Sequence, residues 1–266
     1  MRRQDRKQNL LPAAALASHI HPGENPCPVS LLDDATSFAA TIVRAGRGIF
    51  PAVTEAQRQP PQSPLELWEF ENCPYCRKVR EVLCELDLDY VCRPLPHGHP
   101  DWKAFAAREG KHQVPFLVDP NTGTRLYESD DIIAYLNARY GSGRRAGWTI
   151  PLPHLLDDAV SALASGIRVT RGTNWRGGPL RPGYQPLTLY NMEGSPSCRK
   201  AREALSELAL PYVVRNLPKG SPKRDELVRR GGKMQVPYLV DPNTGREMYE
   251  SDTITAYLDA EYGADR

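Results

Sequence analysis

The residues best suited to chemistry are Cys73 and Cys76. They stand in Cys73-Pro74-Tyr75-Cys76, behind an apolar run, Leu65 to Phe70, and ahead of a helical pattern. Two thiols at C-x-x-C spacing can exchange with disulfides, form half of a zinc site, or coincide by chance, and the pair alone does not separate these readings. Exchange chemistry needs the thiolate, and a free cysteine titrates at about 8.5, so little is ionised at neutral pH. If Pro74 takes the first helical position, which its fixed φ and missing donor favour, Cys73 is the N-cap and faces unpaired N–H groups and the positive end of the helix. Lowering a thiol by two units takes about 2.7 kcal/mol. The dipole supplies at most about 2 kcal/mol, so direct N–H bonds and the cations Arg77 or Lys78 are expected to add to it. Cys76, one turn on, is placed to attack a mixed disulfide formed on Cys73.

The elements that must position this pair follow from periodicity. Leu65 to Phe70 reads as a buried strand, and Val79, Val82, Leu83 and Leu86 mark one helical face behind the cysteines. Leu88 to Arg93 predicts a second strand, Asp101 to Arg108 a short helix, Val114 to Val118 a third strand, and Asn121-Thr122-Gly123 a turn into a fourth, Thr124 to Tyr127. A last helix opens at Ser129 as its cap, with Asp130 and Asp131 in the first turn and Ile132, Tyr135, Leu136 and Tyr140 on its apolar side. The order is βαβαββα.

This unit occurs twice. Leu65 to Gly141 matches Leu187 to Gly263 without a gap at an offset of 122 residues, with more than half the positions identical. Gln113-Val114-Pro115 returns as Gln235-Val236-Pro237, and Tyr127-Glu128-Ser129-Asp130 as Tyr249-Glu250-Ser251-Asp252. Upstream, Leu31 to Ala35 returns as Leu155 to Ala159, and Arg44 and Arg47 as Arg168 and Arg171, at an offset of 124 residues. A period this long means tandem domains and not a solenoid, whose repeats run to about 20–50 residues. The expected division is a flexible basic tail (1–28), an upstream helix and linker (29–63), a first domain (64–141), a connecting segment with the repeated helix (142–185), and a second domain (186–266). The upstream helices carry Leu31, Ala35, Phe38 and Ile42, and Leu156, Val160, Leu163 and Ile167, at helical spacing. Either each covers its own domain, or the two pack together and hold the domains in a pseudo-twofold pair.

In the second copy Ser195-Pro196-Ser197-Cys198 replaces the cysteine motif, so its leading thiol is a hydroxyl that cannot exchange with disulfides. Cys84 and Cys92 sit in apolar patterns and read as small core residues. Six cysteines, with Cys27, do not make a dense secreted framework in 266 residues, and a reducing cytoplasm fits them better. A net charge of +2 gives no field for nucleic acid or for a membrane surface. No apolar run approaches the roughly 20 residues of a spanning helix. The start, with Arg2, Arg3, Arg6 and Lys7 before Leu10 to Ala17, has the outline of a signal peptide, but Asp5 and Pro12 argue for a basic tail.

With strand, C-P-Y-C, helix, Val-Pro and Glu-Ser in order, each unit resembles the glutathione-binding N-terminal domain shared by glutathione transferases and glutaredoxins. The resemblance covers about 77 residues in each copy and implies an α/β chain of two thioredoxin-like domains. It implies Cys73 and Cys76 as catalytic, and Tyr75, Gln113, Val114, Pro115, Glu128 and Ser129 as glutathione-binding, with a cis Val114–Pro115 bond facing the cysteinyl part. Ser195, Cys198, Gln235, Val236, Pro237, Glu250 and Ser251 become the second candidate site. The all-helical domain that transferases carry behind this one is replaced by the second copy.

The expected function is a glutathione-dependent thiol-disulfide oxidoreductase acting on disulfides or glutathionylated substrates, with glutathione as cosubstrate and a second copy that binds without redox turnover. The alternatives are a transferase conjugating electrophiles, through Ser195, and a non-catalytic glutathione-binding scaffold. The family's C-P-Y-C sites can also hold an iron-sulfur cluster between monomers, a secondary alternative. No metal is expected otherwise, since a zinc site would need more than one C-x-x-C.

Overall fold

The structure, a computed structural model, describes residues 28–141 and 154–264, so the expectations for the basic tail and Cys27 lie outside it. Helix α1 (Pro28–Val43) precedes β1 (Leu65–Glu69), α2 (Pro74–Glu85), β2 (Tyr90–Pro94), α3 (Asp101–Glu109), β3 (Phe116–Asp119), β4 (Thr124–Leu126) and α4 (Ser129–Tyr140). Helix α5 (His154–Ile167) precedes β5 (Leu187–Asn191), α6 (Pro196–Glu207), β6 (Tyr212–Asn216), α7 (Arg224–Gly231), β7 (Tyr238–Asp241), β8 (Arg246–Tyr249) and α8 (Ser251–Tyr262). Both copies therefore have the βαβαββα order of a thioredoxin-like domain.

Alternation along β1 turns Leu65 and Leu67 into the core, where they meet Val79, Val82 and Leu83 from the predicted face of α2. Asp119, at the end of β3, turns the chain by accepting from the Asn121 backbone N–H at 2.8 Å. It also accepts from the Tyr135 and Tyr140 hydroxyls at 2.6 and 2.5 Å, which fastens α4 to the sheet. Asp241 repeats the arrangement with Tyr257 and Tyr262.

The two domains share one sheet of strand order β4-β3-β1-β2-β6-β5-β7-β8. Strands β1–β2 and β5–β6 run parallel, and β2 and β6 meet antiparallel, with Tyr90 opposite Val214 and Cys92 opposite Tyr212. Each domain thereby covers the edge the other would leave unpaired. One apolar core runs beneath α2, α4, α6 and α8 through both copies, and separate clusters around Phe105 and Leu227 lie beneath α3 and α7 on the other face.

Helices α1 and α5 pack together, and they cross over: α1 lies on α6 and α5 on α2. Their buried faces differ from the expected apolar stripes. Ser37, Ala40, Thr41 and Arg44, and Ser161, Ala164, Ser165 and Arg168, are turned inward, whereas Leu31, Phe38, Ile42, Leu156 and Leu163 are exposed. Small residues let the helices approach closely, and the arginines lock the crossing. Arg44 binds Glu81 at 2.6 Å and Asp157 of α5 at 2.8 Å, while Arg168 binds Glu203 at 2.5 Å and Asp33 of α1 at 2.7 Å. The expected cap of α4 is also displaced by one residue: Glu128 holds the N-cap without a side-chain cap bond, and Ser129 is the first helical residue. Among the described residues no helix is long and apolar enough to cross a membrane.

Candidate functional site

Pro74 opens α2 and leaves Cys73 at the N-cap with extended backbone, φ −65° and ψ 119°. Its sulfur accepts from the Cys76 backbone N–H at 3.2 Å. Cys73 keeps 4% of its surface and Cys76 none, so of the pair only Cys73 can meet an incoming disulfide. Tyr75 between them is half exposed.

Burial pushes the Cys73 thiol up, but the Cys76 thiol and backbone N–H donating to the sulfur, together with the Arg80 guanidinium, outweigh it and hold Cys73 below the ordinary range. Cys76 moves the opposite way, raised well above a free thiol by burial first and then by donating to Cys73. The two thiols are thus pushed apart, Cys73 toward the thiolate and Cys76 toward the thiol.

The assisting cation differs from the expected one. Lys78 is held by Asp130 at 2.8 Å and Asp158 at 2.7 Å, which joins the first turns of α2 and α4 and ties both to α5. Arg77 turns into the seam between the domains. Arg80 supplies the field. It is fully buried, paired with Glu69, with Glu71 at 3.3 Å and with Glu193 of the second copy at 3.1 Å. Arg202 mirrors it, binding Glu71 at 3.0 Å, Glu193 at 3.2 Å and the side-chain Oδ1 of Asn191 at 2.6 Å. Glu71, although buried, is brought down to about 2 by Arg202 and Arg80. Burial pulls the Glu69 carboxyl upward against Arg80, and Glu69 in turn opposes ionisation of Cys73. Helical periodicity gives no hint of this lattice. The identity of Glu71 with Glu193 and of Arg80 with Arg202 across the repeat was the available signal.

Val114–Pro115 and Val236–Pro237 are both cis. Val114 lies ahead of the β3 ladder, which starts at Phe116, so its backbone is outside the pairing of β3 with β1. Glu128 and Glu250 adopt φ of 63° and 67°, a region that disfavours side chains. The two copies hold the same strain at the same place. The Gln113 amide donates to Glu128 at 2.8 Å, and the Gln235 amide donates to Glu250 at 2.5 Å. Ser129 and Ser251 are buried one residue later.

In the second copy Ser195 is the N-cap of α6, and its hydroxyl oxygen accepts from the Cys198 N–H at 3.3 Å. Cys198 is buried, with its thiol raised by burial. The crossed helices cover both motifs: the Ser161 hydroxyl donates to the Pro74 carbonyl at 2.7 Å, and Ser37 to the Pro196 carbonyl at 2.8 Å. Cys84 and Cys92 are buried packing residues, with Cys84 donating to the Gly48 carbonyl at 3.1 Å and Cys92 to Glu69 at 3.2 Å. Among the described residues no three His, Cys, Asp or Glu side chains gather as metal ligands.

The family described as glutathione S-transferase, N-terminal domain, matches this chain over residues 67–145 and 189–266. A glutathione S-transferase-like protein, tpcF, of Aspergillus fumigatus is 33% identical over 84 residues, 32% of this chain and 37% of the relative. OpS6 of Beauveria bassiana, named likewise, is 32% identical over 81 residues, 30% of this chain and 37% of the relative. For gedE of Aspergillus terreus the identity is 29% over 99 residues, 37% of this chain and 42% of the relative. The chain spans 37–42% of the length of these relatives.

Proposed function

The chain belongs to the glutathione S-transferase N-terminal-domain family, as two tandem copies, and from that premise we propose that its first copy is a glutathione-dependent thiol-disulfide oxidoreductase. The observation that carries this reading is Cys73 at the N-cap of α2, its sulfur accepting from Cys76 and its thiol held below the ordinary range. In the proposed reaction the Cys73 thiolate attacks a sulfur of a glutathionylated substrate, a Cys73–glutathione disulfide forms, and the substrate leaves as a thiolate. A second glutathione thiolate then attacks that disulfide, releasing oxidised glutathione and regenerating Cys73. Alternatively Cys76, once deprotonated, displaces glutathione and closes a Cys73–Cys76 disulfide, which two further glutathione molecules reduce. The raised thiol of Cys76 favours the first route.

In this reading glutathione is held by the polar groups that follow the cis Val114–Pro115 bond and open α4. Glu128 can receive the ammonium of its γ-glutamyl end, Ser129 the carboxylate, and the Val114 backbone the cysteinyl segment, with Gln113 fixing Glu128. The described cysteines are all free thiols, which supports a reducing compartment such as the cytoplasm.

A second reading is conjugation of electrophiles at Ser195. What favours it is that the second copy keeps the N-cap acceptor, the cis Val236–Pro237 bond and the Gln235–Glu250 pair. A Ser195 hydroxyl would donate to a bound glutathione thiolate. If neither activity is found, glutathione binding alone remains as the function of the pair.

One assay separates these. Reduction of a glutathione mixed disulfide should vanish in Cys73→Ser and persist in Cys76→Ser. Conjugation, if present, should survive Cys73→Ser and be lost in Ser195→Ala. Reduction by Cys73→Ser at the parental rate would overturn the oxidoreductase reading.

A further inference from the structure

The turn that follows α5 lies against the residues just ahead of Cys73. The Asn72 amide donates to the Val169 carbonyl at 2.8 Å and to the Thr173 hydroxyl at 3.1 Å. A Cβ on Gly172, at φ 72°, would stand 2.7 Å from the Cβ of Glu71, so glycine is what permits this close approach. His97, beyond β2, holds the same turn by donating its backbone N–H to the Thr173 carbonyl at 2.8 Å and by accepting from the Trp175 N–H at 2.9 Å. The Ser161 hydroxyl meets the Pro74 carbonyl. Both chain neighbours of Cys73 are therefore tied to α5 and its turn.

On this fixed turn Val169 is out of character. Its φ is 55°, a region that β-branched residues rarely enter. It is also 73% exposed, more than any other large apolar residue among those described. Burial of the side chain does not hold this conformation, whereas the Asn72 amide on its carbonyl helps to fix it. A strained backbone that presents an apolar side chain to solvent beside a nucleophile motivates a role in binding.

The second copy is the internal comparison. Ala45 stands in the place of Val169, at φ 50°, and Gly194 in the place of Asn72. The turn there approaches more closely: a Cβ on Gly194 would meet Ile49 Cγ1 at 2.4 Å and the Arg47 carbonyl oxygen at 2.8 Å, which leaves no room for an asparagine clasp. The exposed Phe38 and Ile42 of α1 have Ala162 and Gly166 as counterparts, so the two motifs are flanked by different apolar residues. Asn72 and Val169 occur together in the copy that has the leading thiol.

We propose that Val169 is a specificity-determining residue of the Cys73 site, which selects glutathionylated polypeptides with apolar side chains next to the modified cysteine. The inference rests on the oxidoreductase reading of Cys73. In that reading the groups that hold glutathione belong to the approach to β3 and to the start of α4, and Val169, on a separate segment, meets the polypeptide half of the mixed disulfide. Asn72 is a positioning residue that acts through it.

The test uses the full chain and two glutathionylated peptides that differ only in the residues flanking the cysteine, leucine in one and lysine in the other, with kcat/KM measured for each at one glutathione concentration. The parent should prefer the leucine peptide. Val169→Ala should cut that preference about fivefold, and Val169→Asp should turn it toward the lysine peptide. Taking the ratio of the two peptides cancels any effect on Cys73 itself, and Ala45 in the matching turn indicates that alanine is accommodated. A parent that reduces both peptides equally, or a preference unmoved by both substitutions, would overturn the inference and leave the oxidoreductase reading in place. A parent that reduces neither peptide nor a small glutathione mixed disulfide would overturn both.

Discussion

Replacing Cys76 by alanine should make Cys73 a weaker acid, by about the strength of one S–H hydrogen bond to a thiolate. Two donors from Cys76 reach the Cys73 sulfur, the backbone N–H at 3.2 Å and the thiol itself. Alanine removes the second and keeps the first, because the N–H belongs to the helix. A hydrogen bond to an ionised group contributes about 1.5–3 kcal/mol. S–H is a weak donor, so the low end applies, which is about one pK unit at 1.36 kcal/mol per unit. Burial and Arg80 act on Cys73 in both proteins alike. The measurement is the alkylation rate of Cys73 by iodoacetamide across pH, read by mass spectrometry of the peptide that carries it, since the other described cysteines are buried as well. Below the inflection the variant should react about tenfold more slowly, and Cys76→Ser, whose hydroxyl still donates, should remain near the parent. An inflection in Cys76→Ala that stays put or moves down would refute the division of roles between the two thiols.

Two further outcomes follow from other parts of the site. Glu71 has a folded-state acid strength of about 2, below the unfolded value of about 4.3. Its contribution to stability is therefore fully present above that unfolded value and is lost as pH falls toward 2. Urea denaturation of Glu71→Gln should show lower stability at pH 7 and a shallower loss between pH 5 and 3; an acid limb as steep as the parent's would place the coupling elsewhere. Glu128→Gln keeps a polar group beside Gln113 but removes the charge offered to an ammonium, and calorimetry should show glutathione bound about tenfold more weakly. Unchanged affinity would remove Glu128 from the binding set.

The thioredoxin-like order was legible because its signals are local: the alternation of Leu65 and Leu67, the helical face of Val79 and Leu83, and Pro74 and the Asn121–Gly123 turn as punctuation. The repeat added register, so that one domain could be read against the other. The upstream helices were legible as helices but not as faces. An apolar stripe predicts burial only when something covers it, and here close helix approach and the reach of Arg44 and Arg168 place Ser37, Thr41, Ser161 and Ser165 inside. The cation at Cys73 differs from the expected one for a related reason. Arg77 and Lys78 are nearest in sequence, yet one helical turn carries Arg80 toward Glu69 and the seam, while Lys78 leaves for Asp130 and Asp158. Long-range pairing decides which charge faces a thiol, and one sequence does not encode it locally.

What the second copy has kept and lost separates packing from ligand chemistry. Its share of the seam requires β6, Glu193 and Arg202, and these are in place. Position 206 shows how freely sulfur exchanges for oxygen where only packing matters: the Ser206 hydroxyl donates to Gly172 at 3.0 Å as the Cys84 thiol donates to Gly48. At the motif itself Ser195 replaces Cys73 and Asn191 replaces Glu69, so the thiol and the carboxyl that opposes its ionisation differ together, while Asn191 still satisfies Arg202. Gln235 and Glu250 have no such structural excuse. They lie at the exposed end of the copy, bonded to each other, and Glu250 holds a strained backbone that a packing role does not need. A domain present only to complete the sheet would not need that strain, and a second copy that binds glutathione without exchanging disulfides, as proposed, would need it beside Ser195.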